Sequence, residues 1–115
     1  MRYLCMIYGD EKAEEVAGVS DWQTMMEQHG AFSGAAGAAG VLRGGEALRD
    51  TSTATTIQAA DGKVLTTDGP FAETKEQLGG FYIVECDDLD TAIHWASQIP
   101  HPGGRIEVRP VMEFD

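Results

Sequence analysis

The run YLCMIY, Tyr3 to Tyr8, is apolar at every position. A strand presents successive side chains to opposite faces, so such a run needs cover on both of them. It is also too short for a helix that buries itself. The run therefore demands a central strand in a layered domain, and the rest of the chain must supply the layers. Gly9-Asp10-Glu11 ends it.

One layer is legible directly downstream. Ser20-Asp21-Trp22-Gln23 fits the S-x-x-Q capping box, in which a hydroxyl and an amide satisfy free backbone N–H groups. The helix it opens sets Trp22, Met25, Met26, His29, Phe32 and Ala36 on one stripe. Its tail, GAAGAAG from Gly34 to Gly40, costs helix stability by roughly 1 kcal/mol per glycine relative to alanine. Val41 to Leu48 reads as a glycine-interrupted strand or bulge. Thr53 to Ala59 and Lys63 to Thr67 flank Asp61-Gly62, a hairpin signal. Phe81 to Cys86 is a further strand. Asp87 or Asp88 then caps a second helix with Leu89, Ala92, Ile93, Ala96 and Ile99 on its apolar face, stopped by Pro100. Arg105 to Phe114 alternates, with Ile106, Val108, Pro110, Met112 and Phe114 on one side and Arg105, Glu107, Arg109 and Glu113 on the other.

That order predicts a single domain over residues 1–115 of the α+β class. It matches a ferredoxin-like (split βαβ) antiparallel sheet with two helices on one face. The second face is then bare, while Tyr3–Tyr8 requires cover there too. A second copy of the chain is the simplest cover, which predicts a homodimer.

Charge narrows the function. Eight Lys and Arg against nineteen Asp and Glu give a net charge of −11, which repels phosphate backbones and anionic membranes and excludes direct nucleic-acid binding. Cys5 and Cys86 form neither a zinc pattern nor a CxxC pair and read as buried free thiols in a reducing compartment. The N-terminal apolar run is too short for a signal peptide, and no stretch reaches the roughly 20 apolar residues of a membrane helix. The expected location is cytoplasmic, with no membrane partner.

Three places carry candidate chemistry. His29 stands alone on an apolar helix stripe: either a core histidine with both nitrogens satisfied, or a general acid/base whose Nδ1 is held by a carboxylate. The stretch TTDGPFAETKEQLGG (Thr66 to Gly80) fixes a turn beside charges. Asp68 either closes that turn on itself or, with Glu73, lines a cleft mouth. Lys75 then offers a donor to an anionic group, and Gly79-Gly80 allow close backbone approach. Arg105 and Arg109 either bind a ligand carboxylate or pair with glutamates across strands. His94 and His101 do not join His29 in a metal site, and no phosphate loop, nucleophile elbow, H-E-x-x-H or haem motif occurs, so no cofactor is expected.

STATT (Ser52 to Thr56), DGKVLTTDGPFAETKEQLGGFYIVE (Asp61 to Glu85) and EVRPVM (Glu107 to Met112) together resemble the YCII-related family, in particular its DGPF branch. The resemblance implies a ferredoxin-like fold paired as a dimeric α/β barrel. It also implies a catalytic pair made by a first-helix histidine, matched by His29, and an aspartate facing the inter-subunit cleft, for which Asp68 is the candidate. The reading is a cofactor-free enzyme of hydrolase or lyase type acting on a small polar organic molecule. His29 is its general acid/base, Asp68 or Glu73 the second carboxylate, and Lys75, Arg109 and Gly80 the substrate contacts. The alternative, suggested by DGPF relatives linked to extracytoplasmic-function sigma factors, is a non-catalytic small-molecule binder or regulatory partner of a sigma factor. Both readings place His29 and Asp68 around one cavity closed by association of two chains.

Overall fold

The run YLCMIY lies in strand β1 (Arg2–Gly9) of the computed structural model, which describes residues 1–13 and 19–114, the side chains of 19–21 excepted. Next come α1 (Val19–Ala38), β2 (Leu42–Ala47), a 3-10 turn (Thr51–Thr53), β3 (Thr55–Ala60), β4 (Lys63–Asp68), β5 (Gln77–Glu85), α2 (Leu89–Ala96) and β6 (Arg105–Pro110). The Ser20 side of the expected capping box lies outside the described side chains.

Two split crossovers set the main sheet. The passage β1–α1–β2 leaves a one-strand gap that β5 fills, and β5–α2–β6 leaves a gap that β1 fills. The result is a four-stranded sheet ordered β2–β5–β1–β6, antiparallel at every pairing. The fold is mixed α+β, and β1 occupies the interior position its composition requires.

Alternation along the strands separates the two sheet faces. Tyr3, Cys5 and Val84 join Phe32 and Ala36 of α1, and Ala92, Ala96 and Ile99 at α2, in one buried cluster. Both helices therefore lie on the same side. Residues in register on the opposite side are Leu4, Met6 and Tyr8 of β1, Ile83 and Phe81 of β5, and Arg109, Glu107 and Arg105 of β6. Neither α1 nor α2 lies over them, and Met6 at their centre is 8% exposed, covered by its neighbours in the sheet. The slab is only 18 Å through its thinnest axis, the depth of one sheet and one helical layer.

Both helices depart from the expected stripes. Among the described side chains of α1 only Phe32 and Ala36 are buried, whereas Trp22 and Met26 are 61% and 57% exposed. The first turns of α1 therefore carry apolar side chains beyond the core they were expected to join. In α2, Leu89 and Ile93 are exposed while Ala92 and Ala96 are buried, so the helix sits close to the sheet on its small residues. Asp88 caps α2, accepting hydrogen bonds from Thr91 N at 2.8 Å and Thr91 Oγ1 at 2.7 Å. Hydrogen bonding to Thr91 holds the Asp88 carboxyl below its usual range.

β3 and β4 leave the main sheet altogether and form a two-stranded arm between β2 and β5. The Asp61-Gly62 turn adopts φ of 50° and 74°, the two positive values that a two-residue hairpin favours. Every residue of β4 is exposed, as are Ile57 (68%) and Val64 (69%). β5 begins at Gln77 rather than Phe81, because the Gly79-Gly80 segment belongs to the strand and carries a register shift opposite Ile7 and Tyr8. β6 ends at Pro110, so Met112 and Phe114 are exposed rather than strand residues. Cys5 is buried and Cys86, one residue past β5, is half-buried; both thiols are free. Burial, with Cys86 a smaller cause, pushes the Cys5 thiol up to about 11.

Candidate functional site

His29 occupies the third turn of α1, next to the buried Phe32, where the helix passes from exposed to buried. Its ring Nδ1 lies 2.8 Å from the Tyr82 hydroxyl. The two rings stack with centroids 5.9 Å apart, and Phe32 packs against Tyr82 with centroids 4.8 Å apart. The expected carboxylate on Nδ1 is thus replaced by a phenol. Burial lowers the imidazole's proton affinity below its ordinary value of 6.5, so the neutral ring prevails near pH 7. The pair has two neutral arrangements. Either Tyr82 O–H donates to Nδ1 and Nε2 bears the proton, or Nδ1–H donates to the phenol oxygen and Nε2 has a free lone pair. Nε2 has no hydrogen-bond partner among the described residues.

The backbone of β2 makes room for this pair. Gly45 faces Tyr82 in the β2–β5 register. A Cβ on Gly45 would stand 2.6 Å from Tyr82 Cδ1 and 2.8 Å from the Phe81 carbonyl oxygen. The glycine-interrupted strand LRGGEA is therefore a slot for an aromatic ring. A Cβ on Gly80 would come within 2.8 Å of the Glu46 carbonyl oxygen, so Gly80 supports strand packing at that edge.

The remaining predicted residues lie elsewhere. Asp68 is exposed at the end of β4, opposite Thr55 on the arm. The turn after it is tied down by Gly69 N donating to Ala54 O at 2.7 Å and Thr56 Oγ1 donating to Gly69 O at 2.8 Å. Among the described residues, no hydrogen bond or ion pair is made by the side chains of Asp68, Glu73 or Lys75. Glu73, Lys75 and Glu76 do not act as one charge cluster: Glu76 instead approaches Arg105, at 3.6 Å. Arg109 stands on the bare sheet face, opposite in sense to His29, and makes no ion pair among the described residues. Glu113, a candidate partner for Arg105 or Arg109, instead meets Arg2 at 3.0 Å. Within one chain, then, His29 and Tyr82 are brought together, and Asp68, Glu73, Lys75 and Arg109 are not joined to them.

Two residues escaped the sequence reading. Tyr82 sits inside an unbroken apolar strand, where a tyrosine looks like ordinary core. Glu11 reads as a strand end, yet its carboxylate accepts from Thr51 N at 2.9 Å and Thr51 Oγ1 at 2.7 Å. Its own N–H donates to Gln77 Oε1 at 2.9 Å. Glu11 thus clamps the base of the arm between β1 and β5. A groove of about 660 Å³ runs between α1 and the segment after α2, lined by Gln28, Phe32, Ala35, Ile99 and His101; neither His29 nor Asp68 lines it. His101 Nδ1–H donates to Ile99 O, so its neutral form keeps Nε2 as an acceptor. Among the described residues no three His, Cys, Asp or Glu side chains gather as a metal would need, and no helix is long and apolar enough to cross a membrane.

Comparison with known proteins agrees with the motifs. An uncharacterized protein of Rhizobium meliloti (strain 1021) is 34% identical over 114 residues, covering 96% of this chain and 92% of that protein. The model of the YCII-related domain matches residues 1–115 from end to end, and the chain belongs to that family.

Proposed function

We propose that the protein is a cofactor-free enzyme, of the hydrolase or lyase type, that moves a proton on a small polar organic molecule through His29. The observation that carries this reading is the 2.8 Å contact between His29 Nδ1 and the Tyr82 hydroxyl on a ring kept neutral by burial. A general base near neutral pH needs an unprotonated nitrogen, a fixed ring and an edge left for substrate. Burial supports the first, Tyr82 and its Gly45 slot the second, and the unpartnered Nε2 the third. Tyr82 takes the orienting role that sequence reasoning gave to a carboxylate. The strand order and the two split crossovers support a ferredoxin-like arrangement, and the bare apolar face of the sheet supports pairing as a homodimeric α/β barrel. In this reading Gly80 shapes the β2 edge beside Tyr82. Asp68, Glu73, Lys75 and Arg109 reach substrate only through association of two chains.

The test uses a panel of small hydroxy acids, oxo acids, esters and lactones, followed by proton NMR at neutral pH with wild type, His29→Gln and Tyr82→Phe. Turnover of at least one compound is expected. It should be lost in His29→Gln and slowed in Tyr82→Phe, with melting temperature and oligomeric state retained. Equal rates in wild type and His29→Gln, or no turnover of any compound, would remove the enzymatic reading.

A further inference from the structure

The arm has no evident purpose within one chain. An isolated two-stranded hairpin is marginal in water, and this one presents apolar residues to solvent. Register sorts its faces. Ile57, Thr55 and Ala59 of β3 and Val64, Thr66 and Asp68 of β4 share one face, so the two most exposed aliphatic residues of the arm stand on the same side as the Asp68 carboxylate. The molecule is extended accordingly. Its radius of gyration is 16.2 Å, where a compact chain of this length has about 13 Å. With a thickness of 18 Å, the arm projects alongside the slab instead of folding over the bare sheet face.

That bare face is the arm's complement. Its centre is apolar, with Leu4, Met6, Tyr8, Phe81 and Ile83, and its β6 margin carries Arg105, Glu107 and Arg109. Arg105 is already drawn to Glu76, which leaves Arg109 as the margin's cation with no ion pair. Cations are scarce here, eight against nineteen acidic residues, so an unpaired arginine at an apolar surface is a specific attractor for an unpaired carboxylate at another.

Resting on the homodimer reading above, we propose that the arms are exchanged. The Ile57–Val64 face of each chain lies along the β6 side of its partner's bare sheet face, beside the sheet-to-sheet contact of the barrel, and Asp68 pairs there with the partner's Arg109. One chain supplies both halves of the contact, so a two-fold axis makes it twice and closes the assembly. The exchange completes a cleft that no single chain possesses, with Asp68 from one copy and Arg109 from the other at its rim. The Glu11 clamp on Thr51 sets the direction in which the arm leaves its own sheet.

The test is charge exchange, read by sedimentation equilibrium at low ionic strength. Asp68→Arg and Arg109→Asp each place like charges together at both contacts and should weaken self-association by at least about tenfold. An equimolar mixture of the two variants should associate with nearly wild-type affinity, because both contacts of the mixed dimer are then opposite in charge. Val64→Glu should weaken association whatever its charge partners. Recovery in the mixture also shows that the single variants are folded. Dimers whose affinity is unchanged in all three variants would overturn arm exchange and leave the homodimer standing. A wild-type chain that stays monomeric at every concentration would overturn both.

Discussion

Replacing Gly45 with alanine asks whether the β2 slot, and not the phenol alone, holds the His29 ring. The added methyl would sit 2.6 Å from Tyr82 Cδ1 and 2.8 Å from the Phe81 carbonyl oxygen. The first neighbour is a side chain and can swing away. The second is backbone in the central sheet and cannot. Overpacking of this kind costs roughly 1–3 kcal/mol, partly offset by the roughly 0.4–1 kcal/mol that Gly→Ala recovers from the unfolded chain. For a domain of this length the net loss corresponds to a fall in melting temperature of up to roughly 10 °C. Gly44→Ala is the control. Its Cβ would meet only Ile83 Cδ1, at 3.9 Å, and neither glycine has positive φ. Gly44→Ala should therefore be neutral or slightly stabilising. The assays are urea unfolding and an NMR titration of the His29 ring. In Gly45→Ala the displaced Tyr82 should let water reach the imidazole and bring its pKa up toward 6.5, the value it has when unburied. If both alanine variants behave like wild type in stability and titration, the slot argument is wrong.

Two further outcomes follow from the geometry. Because burial lowers the His29 pKa below 6.5, the unfolded chain binds more protons as pH falls through that value. The associated stability is complete above 6.5, declines as pH drops toward the folded value, and levels off beneath it. Urea midpoints compared between wild type and His29→Gln should show this decline in wild type alone. Glu11→Ala removes both hydrogen bonds to Thr51 and should cost about 1–2 kcal/mol, less than the roughly 1.5–3 kcal/mol of a buried bond to a charged group because these are partly exposed. Hydrogen exchange should quicken around residues 51–56 and stay unchanged in the β1–β5 pairing.

Local chemistry made much of this fold legible. The doubly apolar run put β1 in the interior, Asp61-Gly62 gave the hairpin turn, and Asp87-Asp88 the second cap, because each depends on only a few neighbouring residues. Placement across the chain was harder to read. Nothing in the β-branched sequence of β3 and β4 distinguishes a strand of the main sheet from a strand of a separate arm. The α1 stripe showed periodicity but not where the sheet beneath it stops, so Trp22 and Met26 were assigned to a core they do not reach. At the site, His29 was identifiable as an odd polar residue on an apolar face. Its partner was not, since Tyr82 meets it across 53 positions of chain. The pair Gly44-Gly45 in a strand was the available signal. Glycine there marks a close approach, and the large ring in the facing strand is what approaches.

The sheet order also has a consequence for synthesis. β1 is the interior strand that leaves the ribosome first, and both of its neighbours come late, β5 at residues 77–85 and β6 at 105–110. At ordinary elongation rates the partner at β5 follows after roughly 4–15 seconds. Throughout that interval YLCMIY is an unpaired apolar strand, the kind of segment that recruits other nascent chains. Expression temperature and chaperone supply should therefore affect the yield of this protein more than its folded stability would suggest.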